Sequence, residues 1–193
     1  MAEAFEFDPD WSSAEGEIRK GLALDPGDAS ALRAYSSYLV KTGRLEQALT
    51  ESRAALDLDP LSPWAETAVA RVLYDLRRTN EAIAHFHQAL ALDPEMGGAS
   101  QGLAVALLAA GKNEEAVAEA EKARRLMGGD AMITSDPGYA YGVTGKTREA
   151  TGVLNKLLQS DGGKPLRALA VAHVYLGLGD KDKAFEWLKR MKL

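Results

Sequence analysis

A phrase that returns at a fixed interval constrains this 193-residue chain more than any other feature. "LALDP" fills residues 22–26 and again 90–94, and "LDLDP" fills 56–60, so successive copies stand 34 residues apart. A period of that length marks a chain of stacked supersecondary units, none of which can bury its apolar face alone. With each proline set at position 32 of the unit, other positions fall into line. Position 20 is Ala14, Ala48, Ala82, Ala116, Ala150 and Ala184. Position 27 is Gly21, Ala55, Ala89, Ala123, Leu157 and Met191, and position 11 is Phe5, Leu39, Leu73, Leu107, Tyr141 and Tyr175. Position 15 is Gly43, Arg77, Gly111, Gly145 and Gly179.

Within one unit the pattern is helix–turn–helix. Over residues 29–42, Leu32, Tyr35 and Leu39 form an i, i+3, i+7 stripe. Gly43 follows, where a helix can end in a left-handed residue without a Cβ penalty. Leu45, Ala48, Leu49, Ala55 and Leu56 resume the stripe over 45–57, until Asp59-Pro60 stops it. Ser62-Pro63 restarts it, with Ser as N-cap and Pro at the first helical position. The small residues at positions 20 and 27 predict a close crossing of the two helices, which a larger side chain would overpack. On this reading the Leu of each LDP phrase docks into the core and the Pro forces the turn into the next unit.

Bulk properties narrow the function classes. A formal charge of −5 and a pI near 5.3 argue against nucleic acid as a partner. No apolar run approaches the roughly 18 residues of a membrane span, and the first residues carry no basic and apolar signal-peptide pattern. Without cysteine there is no disulfide, thiol nucleophile or thiolate metal site. These features fit a cytoplasmic protein and are compatible with the periplasm.

The 34-residue period, with Ala at 20, small residues at 27 and Pro at 32, resembles the tetratricopeptide repeat. The resemblance implies an all-α, right-handed superhelical solenoid of about eleven helices. It divides residues 1–193 as one array: a partial repeat in 1–28, then repeats at 29–62, 63–96, 97–130, 131–164 and 165–193. "FEFDPDWSSAEGEIRKGLALDP", "LDPLSPWAE" and "YLGLGDKDKAFEWL" further resemble arrays of bacterial signalling proteins. In those proteins the array follows a kinase, a winged-helix or a cyclase domain. The absence of a polar cap at either end fits a segment of a longer protein, or ends that meet a partner or a second copy.

The fourth repeat departs from the pattern. "SDPGYAYG" puts Pro137 where an apolar residue belongs inside a helix. The expectation is a late start, with Asp136 as N-cap and Pro137 at the first position, and residues 127–137 as an irregular joint. The fourth LDP slot reads Met127-Gly128-Gly129, which permits a turn without enforcing one.

The family binds proteins or peptides along the face formed by the first helix of each repeat. Positions 2, 5, 9 and 12 share that face. Carried onto this chain, the groove residues are Arg33 and Ser37; Trp64, Arg71 and Tyr74; Gln101, Val105 and Leu108; Tyr139; and His173. Arg, Trp and Tyr are enriched at interface hot spots, which draws attention to the first two full repeats. Positions 5 and 9 hold Arg33/Ser37 and Thr67/Arg71, with no Asn, so the Lys/Asn clamp some relatives use on a C-terminal carboxylate is missing. Leu166, Leu169 and Leu176 give the last repeat an apolar face that suits self-association or an intramolecular regulatory contact within a larger signalling protein.

Other motifs reduce to structure. "AYGVTGKT" fits a loose phosphate-loop pattern, but it follows a helical stripe instead of a strand, and Gly145-Lys146 falls at the inter-helix turn. His85 and His87, two apart on a helix, point in different directions and read as surface or semi-buried residues, not metal ligands. No Ser/His/Asp or paired-carboxylate constellation stands at an interpretable spacing. The reading is a non-catalytic interaction scaffold without cofactor or metal.

Overall fold

The structure is a computed structural model that describes residues 11–128, 131–159 and 164–191. Among the described residues it contains eleven helices and no strand. A lone helix α1 (Trp11–Leu24) precedes five helical hairpins. These are α2 (Ala29–Lys41) with α3 (Leu45–Leu58), α4 (Pro63–Asp75) with α5 (Thr79–Leu92), and α6 (Gly97–Ala109) with α7 (Asn113–Met127). Then come α8 (Ala131–Val143) with α9 (Thr147–Gln159), and α10 (Lys164–Gly177) with α11 (Lys181–Lys189). The first three hairpins pack on the next chiefly through their second helix, as in a solenoid, whereas the fourth meets the fifth mainly through α8 against α10.

The hairpin turn is the same in all five. Position 15 has positive φ every time: Gly43 76°, Arg77 63°, Gly111 72°, Gly145 77° and Gly179 78°. The next residue donates its N–H back to the position-11 carbonyl, Arg44 to Leu39 at 2.8 Å and Lys112 to Leu107 at 2.9 Å, which closes the first helix. Gly145-Lys146 is one of these turns. Arg77 alone bears a side chain in the left-handed region, at a cost of about 1–2 kcal/mol.

The alanine register holds throughout the described residues. Ala48, Ala82, Ala116, Ala150 and Ala184 are buried, as are Ala55, Ala89 and Ala123. Ala14 belongs to α1, but its side chain lies outside the described residues, as does Phe5. Helix starts follow the expected chemistry. Ser62 Oγ accepts from the Ala65 N–H at 3.3 Å ahead of Pro63, and Asp28 Oδ1 accepts from Ser30 and Ala31 at 2.8 and 3.1 Å.

The LDP leucines correct the sequence reading. Leu24, Leu58 and Leu92 are 88%, 50% and 40% exposed, and none is a core residue. The leucines two residues earlier, Leu22, Leu56 and Leu90, pack against the core instead. Two residues turn a helix by about 200°, so both leucines of one phrase cannot face inward.

The fourth repeat also differs from expectation. α8 begins at Ala131 and runs through Pro137, which is fully buried in its interior. An interior proline removes one helical hydrogen bond and costs about 3 kcal/mol. Close packing on α10 offsets that cost. A Cβ at Gly142 would lie 2.4 Å from the Gly177 carbonyl carbon, and one at Gly177 would lie 2.5 Å from the Tyr139 carbonyl oxygen. The two helices therefore touch backbone to backbone. Among the described residues, α8 approaches α6 far less closely. The core divides accordingly. A large cluster runs from Tyr35 to Ala116, a second joins Leu154 and Leu157 to Val171 and Val174, and a small one around Ala104, Val117, Ala120 and Ala140 lies between.

At the other end, Glu15 fastens α1 to the first hairpin. Its carboxylate accepts from both terminal nitrogens of Arg44 at 3.0 and 2.8 Å, and from the hydroxyls of Tyr35 and Tyr38 at 2.9 and 3.1 Å. The Arg44 bonds are the main reason its pKa falls to about 2, helped by the two tyrosines.

Urea unfolding checks these contacts one at a time. Arg77→Gly stabilises the chain by about 0.5–1 kcal/mol, the left-handed strain relieved less the entropy that Gly adds to the unfolded state. Gly142→Leu destabilises by about 2 kcal/mol or more through overpacking on α10. Gly152→Ala, whose Cβ meets nothing within 4 Å, is neutral or stabilising. The stability from Glu15 is complete above its ordinary pKa of 4.5 and is lost as pH falls from there toward about 2, so Glu15→Gln flattens the acid limb of stability against pH.

Candidate partner-binding groove

The first helices of the hairpins, α2, α4, α6, α8 and α10, line one face, and two adjoining cavities open along it. The first, about 490 Å³, lies over α2, α4 and α6, and Ser37, Arg71, Tyr74, Gln101 and Val105 line it. The second, about 370 Å³, lies between α6 and α8 and reaches α10. Tyr74, Gln101, Val105, Leu108, Tyr139 and His173 line it. Eight of the ten residues singled out by helical phase thus meet at these cavities. Arg33 and Trp64 line neither. Arg33 donates to its neighbour Ser30 Oγ at 3.0 Å, and Trp64, in the first turn of α4, is 61% exposed. The two cavities centre on α6, whereas residue type drew attention to the first two full repeats.

Small residues make the room. Gly102 lets the Phe86 ring pack against the α6 backbone, where a Cβ would strike it at 2.3 Å, and both residues line the first cavity. The second cavity occupies the gap left where α8 leans onto α10. Its walls are Ala104, Ala109, Ala120 and Ala140 together with the stacked rings of Tyr139 and His173, whose centroids are 4.5 Å apart.

The polar groups are ordered. Gln101 Nε2 donates to Asp136 Oδ2 at 2.6 Å, tying α6 to α8 across the partition between the cavities. His173 Nδ1 lies 3.1 Å from Ser135 Oγ and 3.7 Å from Asp136 Oδ1. Serine and carboxylate approach the same ring nitrogen, whereas a nucleophile–base–orienter relay uses opposite ones. Burial pushes the His173 pKa below 6.5, and the Asp136 carboxylate pulls it partly back. At the other end of the groove, burial raises the Asp75 carboxyl against the pull of Arg77 and Arg71. Arg71 is exposed, with Nη2 donating a long 3.5 Å bond to the Gly98 carbonyl.

The sequence reading missed Lys41, Asp75 and Asp136. The first two were within reach. Position 13 lies four residues after position 9 and extends the same stripe. It holds Lys41, Asp75, Ala109 and Val143, and all four line the cavities. Asp136 was hidden by its apparent role as N-cap. Away from the groove, His85 Nδ1 lies 2.6 Å from Glu66 Oε2, a half-buried link between α4 and α5.

Comparison with known proteins agrees with this architecture. Two family models, each described as tetratricopeptide repeat, match residues 2–63 and 73–133, together well over half the chain. The chain belongs to the tetratricopeptide-repeat proteins, whose general role is as protein-interaction scaffolds. Among solved structures, it is similar to PilW, a type IV pilus biogenesis factor, at 20% identity and TM-score 0.76, covering 92% of this chain and 83% of that one. It is similar to pilF of Pseudomonas aeruginosa at 22% identity and TM-score 0.70, with 94% and 84% covered. It is also similar to YrrB, described as a TPR protein with an unusual peptide-binding site, at 22% identity and TM-score 0.62, with 90% of each chain covered. At these identities the likeness speaks for the fold. No curated protein matched the chain.

The His173 environment gives a direct check. In an NMR titration its imidazole protonates below 6.5, and Asp136→Ala lowers the midpoint further by removing the one charge that raises it. The unfolded chain takes up this proton first, so the site's contribution to stability declines as pH falls through 6.5 toward the folded value.

Proposed function

We propose that the chain is a non-catalytic scaffold that holds a peptide segment of a partner protein in the groove over α4, α6 and α8. The observation that carries this reading is the pair of adjoining apolar cavities with Tyr74, Gln101 and Val105 on the wall they share. Concave, mostly apolar sites with a few convergent polar groups are the usual form of a binding site. Arg71 and Tyr74 belong to the side-chain types that dominate interface energetics. The setting in a bacterial signalling protein rests on the sequence resemblance alone.

A second reading has its own observation. Leu166, Leu176 and Phe185, in the last hairpin, are 54%, 45% and 60% exposed. Exposed apolar residues near one end of a solenoid suit contact with a second copy or with another part of a longer chain. Under this reading sedimentation velocity shows a reversible dimer as concentration rises, and Leu166→Lys with Phe185→Lys abolishes it.

The groove reading is tested by selecting peptides from a display library on the purified chain. Arg71→Ala and Tyr74→Ala each weaken the selected peptides tenfold or more, while Arg33→Ala, outside both cavities, changes affinity by less than about twofold. Unchanged affinity in all three variants sinks the groove assignment.

A further inference from the structure

The two cavities give the groove a specificity, one that rests on its being a peptide site as proposed above. They adjoin along the groove and share the side chains of Tyr74, Gln101, Val105 and Asp136. Each is mostly apolar and has room for a bulky side chain: the first beside the Phe86 ring, the second between the alanines and the Tyr139–His173 stack. Cavities that share a wall suit two anchors close together in the ligand, and alternate residues of an extended strand, about 7 Å apart, point to the same side. An extended ligand also brings backbone N–H groups that need acceptors, whereas a helix satisfies its own. Gln101 spends Nε2 on Asp136 and keeps its side-chain oxygen, and the partition therefore offers acceptors where the intervening backbone would pass.

Charge orients the ligand. The chain is acidic overall, yet the α2–α4 end of the groove presents Lys41 and Arg71, both exposed. Of the two carboxylates lining the first cavity, Asp136 belongs to the shared wall and Asp75 lies on α4 with Arg71, its pKa raised by burial. Among the described residues lining the second cavity there is no Lys or Arg, and Asp136 is the carboxylate there. We infer that the groove recognises an extended segment with two bulky apolar side chains two residues apart and an acidic residue flanking the pair at the Lys41–Arg71 end.

Capped fluorescent octapeptides test this on the full chain. Each carries two phenylalanines separated by one, two or three residues in a Gly/Ser background, with Asp or Lys at either flank. Anisotropy is expected to rank the one-residue spacing first, and replacing either Phe by Ala weakens that peptide at least tenfold. Asp at one flank binds at least fivefold tighter than Lys, and Lys41→Glu with Arg71→Glu reverses that order. Ala68→Phe fills the first cavity and Ala109→Phe the second. Each variant, checked for folding by circular dichroism, removes the benefit of one Phe while leaving that of the other. The inference is overturned if one Phe suffices, if the widest spacing wins, if Lys is preferred at both flanks, or if no octapeptide binds. Should library-selected peptides still depend on Arg71 and Tyr74, the groove reading survives that failure; should they not, both fall.

Discussion

The crossing of two helices over a buried alanine is the contact on which the rest of this structure depends. At position 20 a methyl group is buried in the second helix of every hairpin. The spacing of the hairpins, the stacking of one on the next and the alignment of five first helices along one face all inherit that geometry. No hairpin buries enough apolar surface to stand alone. The array is held by the repeated contact between neighbours, and each turn is closed by the same left-handed residue and the same backbone hydrogen bond to position 11. The groove is a by-product of this regularity, and its cavities arise where the regularity is modified.

That modification lies in the fourth repeat. Pro137 and the glycines around it would weaken an isolated helix, yet α8 is continuous because Gly142 and Gly177 let its backbone press against α10. Moving toward α10 draws α8 away from α6. The gap becomes the second cavity, bridged by the Gln101–Asp136 hydrogen bond. The same shift divides the hydrophobic core, leaving a small alanine-rich cluster at the seam. One local departure from the repeat thus explains an interior proline, a divided core and a binding-sized opening.

Much of this was legible in the residues. The 34-residue register carried the helix count, the turns, the N-cap at Ser62 and the buried alanines, because each depends on local chemistry repeated in phase. Helical phase also brought eight of ten groove residues to the cavities. The failures have physical causes. The LDP leucines were assigned to the core because the phrase was read as a unit, although residues two apart face different sides of a helix. Pro137 was read as a helix start because the rule for proline is local, while the packing that overrides it comes from Gly177, 40 residues later in the chain. Arg33 and Trp64, to which residue type drew attention, line neither cavity, which leaves their part in binding open. What places a residue at the opening is the small side chains of α6 and the position of α8, and neither shows in a single repeat.

The central claim is that the partition between α6 and α8 is the working surface of the scaffold. Backbone amide chemical-shift mapping by NMR, with a library-selected peptide titrated into the isotopically labelled chain, addresses it most directly. The account predicts that the largest perturbations fall on Tyr74, Gln101, Val105, Asp136 and Tyr139 and fade toward α1 and α11. Perturbations concentrated on Leu166, Leu176 and Phe185, with the partition unmoved, would contradict it.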